Sequence, residues 1–190
     1  MSAETDATAP EGLFARTLAW ARAQQWIATT EDDEHGDAGT SGQALLEVPD
    51  DHPARATWPT AIEMPIVLFV PDDGQRIAVY CLIVEGIEPR LRPAISELTS
   101  RANRGLLGGA FELDIDEGDV RFRCELDLGG AEVDDEQLGA MLAPLLEVNL
   151  ETVEVYSAAI VAVLTGRASA LDAVESAEAA HGGDEPSIYP

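Results

Sequence analysis

The sequence predicts an α+β fold: an antiparallel sheet of about five strands packed with three helices, in the order α-β-β-β-α-β-β-α. Three observations point there. Two β-rich runs, Ile62 to Val70 and Ile77 to Val84, flank the turn sequence Pro71-Asp72-Asp73-Gly74, whose glycine supplies the positive φ of a hairpin. A second ribbon, Phe111 to Leu128, alternates apolar and charged residues. Three stretches, after Glu11, after Pro89 and after Asp134, carry apolar residues at spacings of three and four, which places them along one face of a helix.

The elements follow in order. Residues 1–10 read as a disordered lead, and residues 11–166 as one domain. From Glu11 to about Ile27, Leu13, Phe14, Thr17, Leu18 and Ala21 form the stripe of a first helix, broadened by Trp20 and Trp26. Residues 31–58 read as an acidic loop insertion. Its first part, Glu31 to Gly42, is too poor in hydrophobic residues to offset the entropy of ordering itself. Within it Ala44 to Val48 is expected as an edge strand, with loop again over Pro49 to Pro59. After the first hairpin, Pro89 and Pro93 open a helix with Ile95, Leu98, Ala102 and Leu106 on one face, ended by Gly105, Gly108 and Gly109.

In the second ribbon, pairing Asp116 with Asp119 across a Glu117-Gly118 turn sets Asp114 opposite Arg121 and Glu112 opposite Arg123 on the wet side. On the dry side the same register sets Leu113 opposite Phe122 and Phe111 opposite Cys124. A last helix starts at Asp134, which caps Gln137. It runs through Leu138, Leu142, Leu145, Asn149, Tyr156, Ile160 and Val163, with a bend expected at Pro144 and a stop at Gly166. Residues 167–190 read as an Ala-rich acidic segment, a frayed helix followed by a tail.

Composition bounds the function. There are 36 acidic against 11 basic residues, a formal net charge of -25, and every base is arginine. Such a chain repels nucleic acid and anionic membrane, since phosphate binding needs clustered cations. It favours a partner with basic segments. A salty habitat or a GC-rich genome accounts for the same composition. No run of eighteen apolar residues occurs and the N-terminus is acidic, so a cytoplasmic protein is expected. Cys81 and Cys124 lie in apolar runs and are expected as buried, reduced thiols.

No catalytic set assembles from the sequence. His35, His52 and His181 fall in loops or the tail without partners at metal or relay spacing. The run Glu31 to Asp37 is a solvated loop before it is a cation site. Asp114-x-Asp116 with Glu125 imitates part of a calcium loop, but its glycine falls one place early and the alternation makes it a hairpin. Gly105 to Gly109 lacks the ending of a phosphate loop. Arg101 and Arg104 are left to present cations either to an acidic partner or to the sheet's own carboxylates. Asn149 either caps a turn after Pro144 or sets register in a dimer contact.

The residues Arg101-x-Asn103-x-Gly105-Leu106-x-x-Gly109-x-Phe111-Glu112-Leu113-Asp114, then Gly118-x-Val120-Arg121-Phe122-Arg123, then Asn149-x-x-Thr152-Val153-x-x-Tyr156-x-x-x-Ile160-x-x-Val163-x-x-Gly166 resemble the YbjN-like family of bacterial sensory-transduction regulators. The resemblance covers about a third of the chain, and Glu31 to Trp58 is longer and more acidic than the family pattern. It implies a fold similar to type III secretion chaperones, a homodimer in many relatives, a role in binding other proteins, no cofactor and no catalytic residue.

The expectation is therefore a non-enzymatic, chaperone-like regulator binding an unidentified protein client as a homodimer. Partner or dimer contacts are sought at Arg101, Asn103, Arg104, Leu145, Asn149, Val153, Tyr156 and Ile160. The alternative is a small-ligand-binding regulatory domain with a pocket around Arg101, Asn103 and Tyr156.

Overall fold

The computed structural model describes residues 12–30, 42–48 and 65–181. The readings of residues 1–10, of most of the 31–58 loop, of Ile62 to Met64, of His35 and His52, and of the last nine residues lie outside the described residues. Within them the chain is α+β, with six strands and four helices. In chain order these are α1 (Leu13–Ala23), β1 (Ile27–Thr30), β2 (Gly42–Glu47), β3 (Ile66–Val70), β4 (Arg76–Val84), α2 (Arg92–Asn103), β5 (Ala110–Leu113), β6 (Val120–Asp127), α3 (Asp135–Leu164) and α4 (Ala170–Ala180). The sheet order is β1-β2-β3-β4-β6-β5, antiparallel throughout.

The first helix ends where αL geometry begins. Gln25 has φ 68°, the Trp26 amide donates to Ala21 O at 3.0 Å and the Gln25 amide to Arg22 O at 3.1 Å. This pair of bonds is a Schellman motif, and it turns the chain so that Trp26 buries its ring just outside the helix it was assigned to. Ile27 then enters a strand that the sequence did not signal, because four residues reading Ile-Ala-Thr-Thr carry too little alternation. This added strand moves β2 inward: it pairs with β1 on one side and β3 on the other, and so is no edge strand.

The β3–β4 hairpin forms as expected. Gly74 has φ 60°, and its amide closes the turn on Pro71 O at 2.9 Å. In the second hairpin the faces are as expected but the register is not. Phe111 lies opposite Phe122, Glu112 opposite Arg121 and Leu113 opposite Val120, two residues from the expected pairing. A shift of two preserves which side chains face the core. The shift arises because Asp114, not Asp116, is the last paired residue. The Asp114 amide donates to Asp119 O, and the Asp114 carboxylate accepts from the amides of Asp116 and Glu117, folding a four-residue loop. Ile115 consequently leaves the dry side and is exposed.

Arg92 holds that loop in place. Its guanidinium donates to the carbonyls of Ile87 (2.8 Å), Ile115 (2.7 Å), Asp116 (2.9 Å) and Glu117 (3.2 Å). The close approach also explains Gly118, at φ 87°, where a Cβ would stand 2.5 Å from Ile87 O.

Helix α2 stops at Asn103, earlier than its glycines suggest, and Leu106 lies beyond it. The long helix α3 begins with the expected capping box, Asp134 accepting from the Gln137 amide at 2.8 Å and Gln137 returning to the Asp134 amide at 3.0 Å. Arg16 ties α1 to this start through Asp135 (2.6 Å) and Val133 O (2.7 Å). Helix α3 runs unbroken through Pro144, and Gly166 at φ 68° ends it.

Residues 170–180 are not frayed. Ser169 accepts from the Asp172 amide, and α4 packs on α2 and α3 with Ala170, Ala173 and Val174 buried. One core results, with the helices on one side of the sheet meeting Ala44, Leu46, Ile66, Leu68, Val79, Cys81, Phe122 and Cys124. Both cysteines are free and buried, and burial pushes the Cys81 thiol up to about 12.

Candidate partner-binding face

The residues singled out on α3 are turned inward. Asn149, Val153, Tyr156 and Ile160 are at most 5% exposed, and Leu145 is half-buried against the same core. The sequence left these apolar positions over because it assigned them only the sheet to cover. Helix α4 covers the other side of α3, so the fold itself uses both of α3's apolar flanks.

Their polar atoms are used internally as well. The Asn103 amide donates to Phe111 O at 2.9 Å, and its oxygen accepts from the Phe111 amide at 2.7 Å, so one side chain imitates a neighbouring strand along β5. The Phe111 ring sits 4.8 Å from the Phe122 ring and edge-on to Tyr156 at 5.3 Å. Tyr156 donates its hydroxyl to Glu178 on α4 at 3.0 Å, and burial together with that carboxylate raises its pKa well above the usual phenol value. Asn149 donates to Val79 O (3.3 Å) and Phe122 O (3.4 Å), and its own oxygen has no hydrogen-bond partner among the described residues. Asn149 is thus a wedge between helix and sheet. It neither caps a turn nor reaches a surface.

Asn103, Phe111, Phe122, Asn149 and Tyr156 therefore form an internal spine that fastens the edge strand to the helices. Arg101 is on the surface, paired with Glu97 at 2.7 Å. Arg104 is exposed and has no ion-pair partner among the described residues. Arg101, Asn103 and Tyr156 do not converge on a pocket, since each polar group is directed to a different internal or local partner. His181 lies at the end of α4, its ring nitrogen 3.1 Å from Ala177 O. Among the described residues no group of three or more His, Cys, Asp or Glu is placed to hold a metal ion, and no helix is long and apolar enough to cross a membrane.

Among the described residues, no element covers the other side of the sheet. The register lines up Thr29, Leu45, Val67, Tyr80 and Arg123 in one row across five strands, and Gln43, Phe69, Ala78 and Glu125 in the next. None of these side chains belongs to the core cluster on the helical side. Leu45 is 41% and Ile27 56% exposed, while Val67, Phe69, Tyr80 and Leu82 are half-buried between their neighbours.

Toward β5 the row becomes ionic. Glu112 accepts from Arg121 at 2.8 Å and from Arg123 at 2.7 Å, Arg123 also meets Glu125, and the Arg121 guanidinium lies 4.6 Å over the Tyr80 ring. Partial burial of the Glu112 carboxyl raises its pKa, but the hydrogen bonds from Arg123 and Arg121 outweigh this and hold it below the ordinary value. Sequence reasoning passed over Leu45, Val67, Phe69 and Tyr80. For Val67 and Phe69 the signal is the unbroken apolar run Ile66–Val70, which marks a strand greasy on both faces.

Residues 47–151, more than half of the chain, match the family model YbjN, "Putative bacterial sensory transduction regulator". No curated protein matches the chain. Among solved structures, the crystal structure of an uncharacterized protein from Methanothermobacter thermautotrophicus is similar at 12% identity and a TM-score of 0.40, over 72% of this chain and 91% of that one. The family match spans β3 to β6 and α2, and with them the whole spine as far as Asn149. The chain is a member of the YbjN family.

Proposed function

We propose that this chain is a non-catalytic, chaperone-like regulator that binds protein, working in the cytoplasm as a homodimer on an unidentified protein client. The observation that carries the reading is the side of the sheet that no described element covers. It offers a row of aliphatic and aromatic side chains beside an arginine–carboxylate ladder, the mixture of apolar centre and polar rim that protein interfaces use. The polar groups that a small-ligand pocket would have used are instead bonded within the fold.

The test is purification under mild conditions followed by light scattering and native mass spectrometry. The expected result is protein bound to wild type and lost from Leu45→Asp, with folding retained. A monomer carrying a small molecule, its binding indifferent to Leu45, would refute the reading.

A further inference from the structure

We infer that the outer side of the sheet is the contact between two copies of this chain, related by a two-fold axis; this rests on the reading that the face binds protein. Charge selects the occupant. At a net charge of -25, two copies repel wherever carboxylates dominate both surfaces. Helices α3 and α4 hold Asp135, Glu136, Glu147, Glu151, Glu154, Asp172, Glu175 and Glu178 and no cation, so a contact centred on these two helices would set carboxylates against carboxylates.

The sheet face differs. It shows Arg76, Arg121 and Arg123 against Glu47, Glu112, Glu125 and Asp127, close to balance and with the two signs interleaved. A two-fold contact requires a patch that complements itself. A face carrying both signs beside an apolar row meets that requirement, since arginines of one copy can face carboxylates of the other while Leu45, Val67, Phe69 and Tyr80 come together. A basic foreign segment would meet three arginines here, and an acidic one the field of the whole chain.

The extent is adequate. Six strands at ~4.8 Å spacing and strands of ~13 to 30 Å give a plan area on the order of 500 Å². The relief of the side chains brings this toward the ~800 Å² per partner of a standard interface.

The experiment is sedimentation equilibrium on the full chain across protein and salt concentration. It is joined by hydroxyl-radical footprinting of wild type, which needs no substitution. Expected are a dimer whose dissociation constant falls as salt screens the net charge, and protection of Leu45, Phe69 and Tyr80 that grows with dimer fraction. Leu45→Arg and Ile27→Arg should each weaken the dimer at least tenfold. Leu107→Arg, at an 81% exposed position on the loop after α2, should leave it unchanged.

A dimer indifferent to Leu45→Arg and Ile27→Arg, with unprotected Tyr80, would overturn the placement while leaving the dimer standing. A monomer at every concentration would overturn the second copy as occupant. Release of a bound foreign protein by Leu45→Asp would then still support the face as a binding surface.

Discussion

Replacing Asn103 tests the spine directly. Asn103→Ala removes both bonds to the Phe111 backbone, at 2.9 and 2.7 Å, and leaves an amide and a carbonyl of a buried residue unpaired at the sheet's edge. Two neutral hydrogen bonds contribute about 1 kcal/mol each, and partial burial of the abandoned groups adds to the loss, so a destabilisation of about 2–3 kcal/mol is expected. With a urea m-value of about 2 kcal/mol/M, the unfolding midpoint falls by roughly 1 to 1.5 M. Amide exchange at Phe111 should rise in parallel.

Asn103→Asp sharpens the test. Its carboxylate keeps the acceptor but sets a second oxygen against Phe111 O. The folded state then favours the protonated acid, so this variant's deficit relative to wild type should be greatest above the raised folded pKa and shrink as pH falls through it toward the unfolded value. A midpoint within about 0.2 M of wild type for Asn103→Ala, with Phe111 still protected, would refute the account of the edge strand.

Four further outcomes are expected. Arg92→Ala should cost about 2–3 kcal/mol in urea melts, with faster exchange confined to residues 115–118, and Arg92→Lys should recover little because an ammonium cannot span four carbonyls. Gln25→Gly should stabilise by about 1 kcal/mol in thermal and urea unfolding, since the αL position at φ 68° suits glycine. The Glu112 and Asp114 carboxyls are held below their ordinary values, so their contribution is present above the unfolded values and lost as pH falls through the folded ones. Glu112→Gln should therefore lessen the stability lost by acidification below about pH 4.5. Cys81, fully buried with its thiol raised to about 12, should resist iodoacetamide at pH 8 until the chain unfolds, which labelling in graded urea would show.

Local rules were readable in the residues themselves. The capping box of Asp134 and Gln137, the glycine of the first hairpin and the alternation of Phe111 to Leu128 depend on neighbours a few positions away, so periodicity and turn chemistry sufficed. The second hairpin's register marks the boundary. Charge matching fitted two registers two residues apart, and the choice fell to Asp114, whose carboxylate folds the loop, and to Arg92 from another element. The motif residues Asn103, Asn149 and Tyr156 stood out as unusual, but their partners lie on other elements: the backbone of Phe111, the carbonyls of Val79 and Phe122, and Glu178.

The sequence by itself determined the layer type, most of the elements and which side of each ribbon is dry, because burying apolar area dictates periodicity. Only the tertiary structure decided that β1 joins the sheet, that α4 covers α3, and hence that α3's apolar flanks are interior while no described element covers one side of the sheet. An apolar side chain records in the sequence that it must be covered. Which element covers it is settled only when the whole chain competes for that surface.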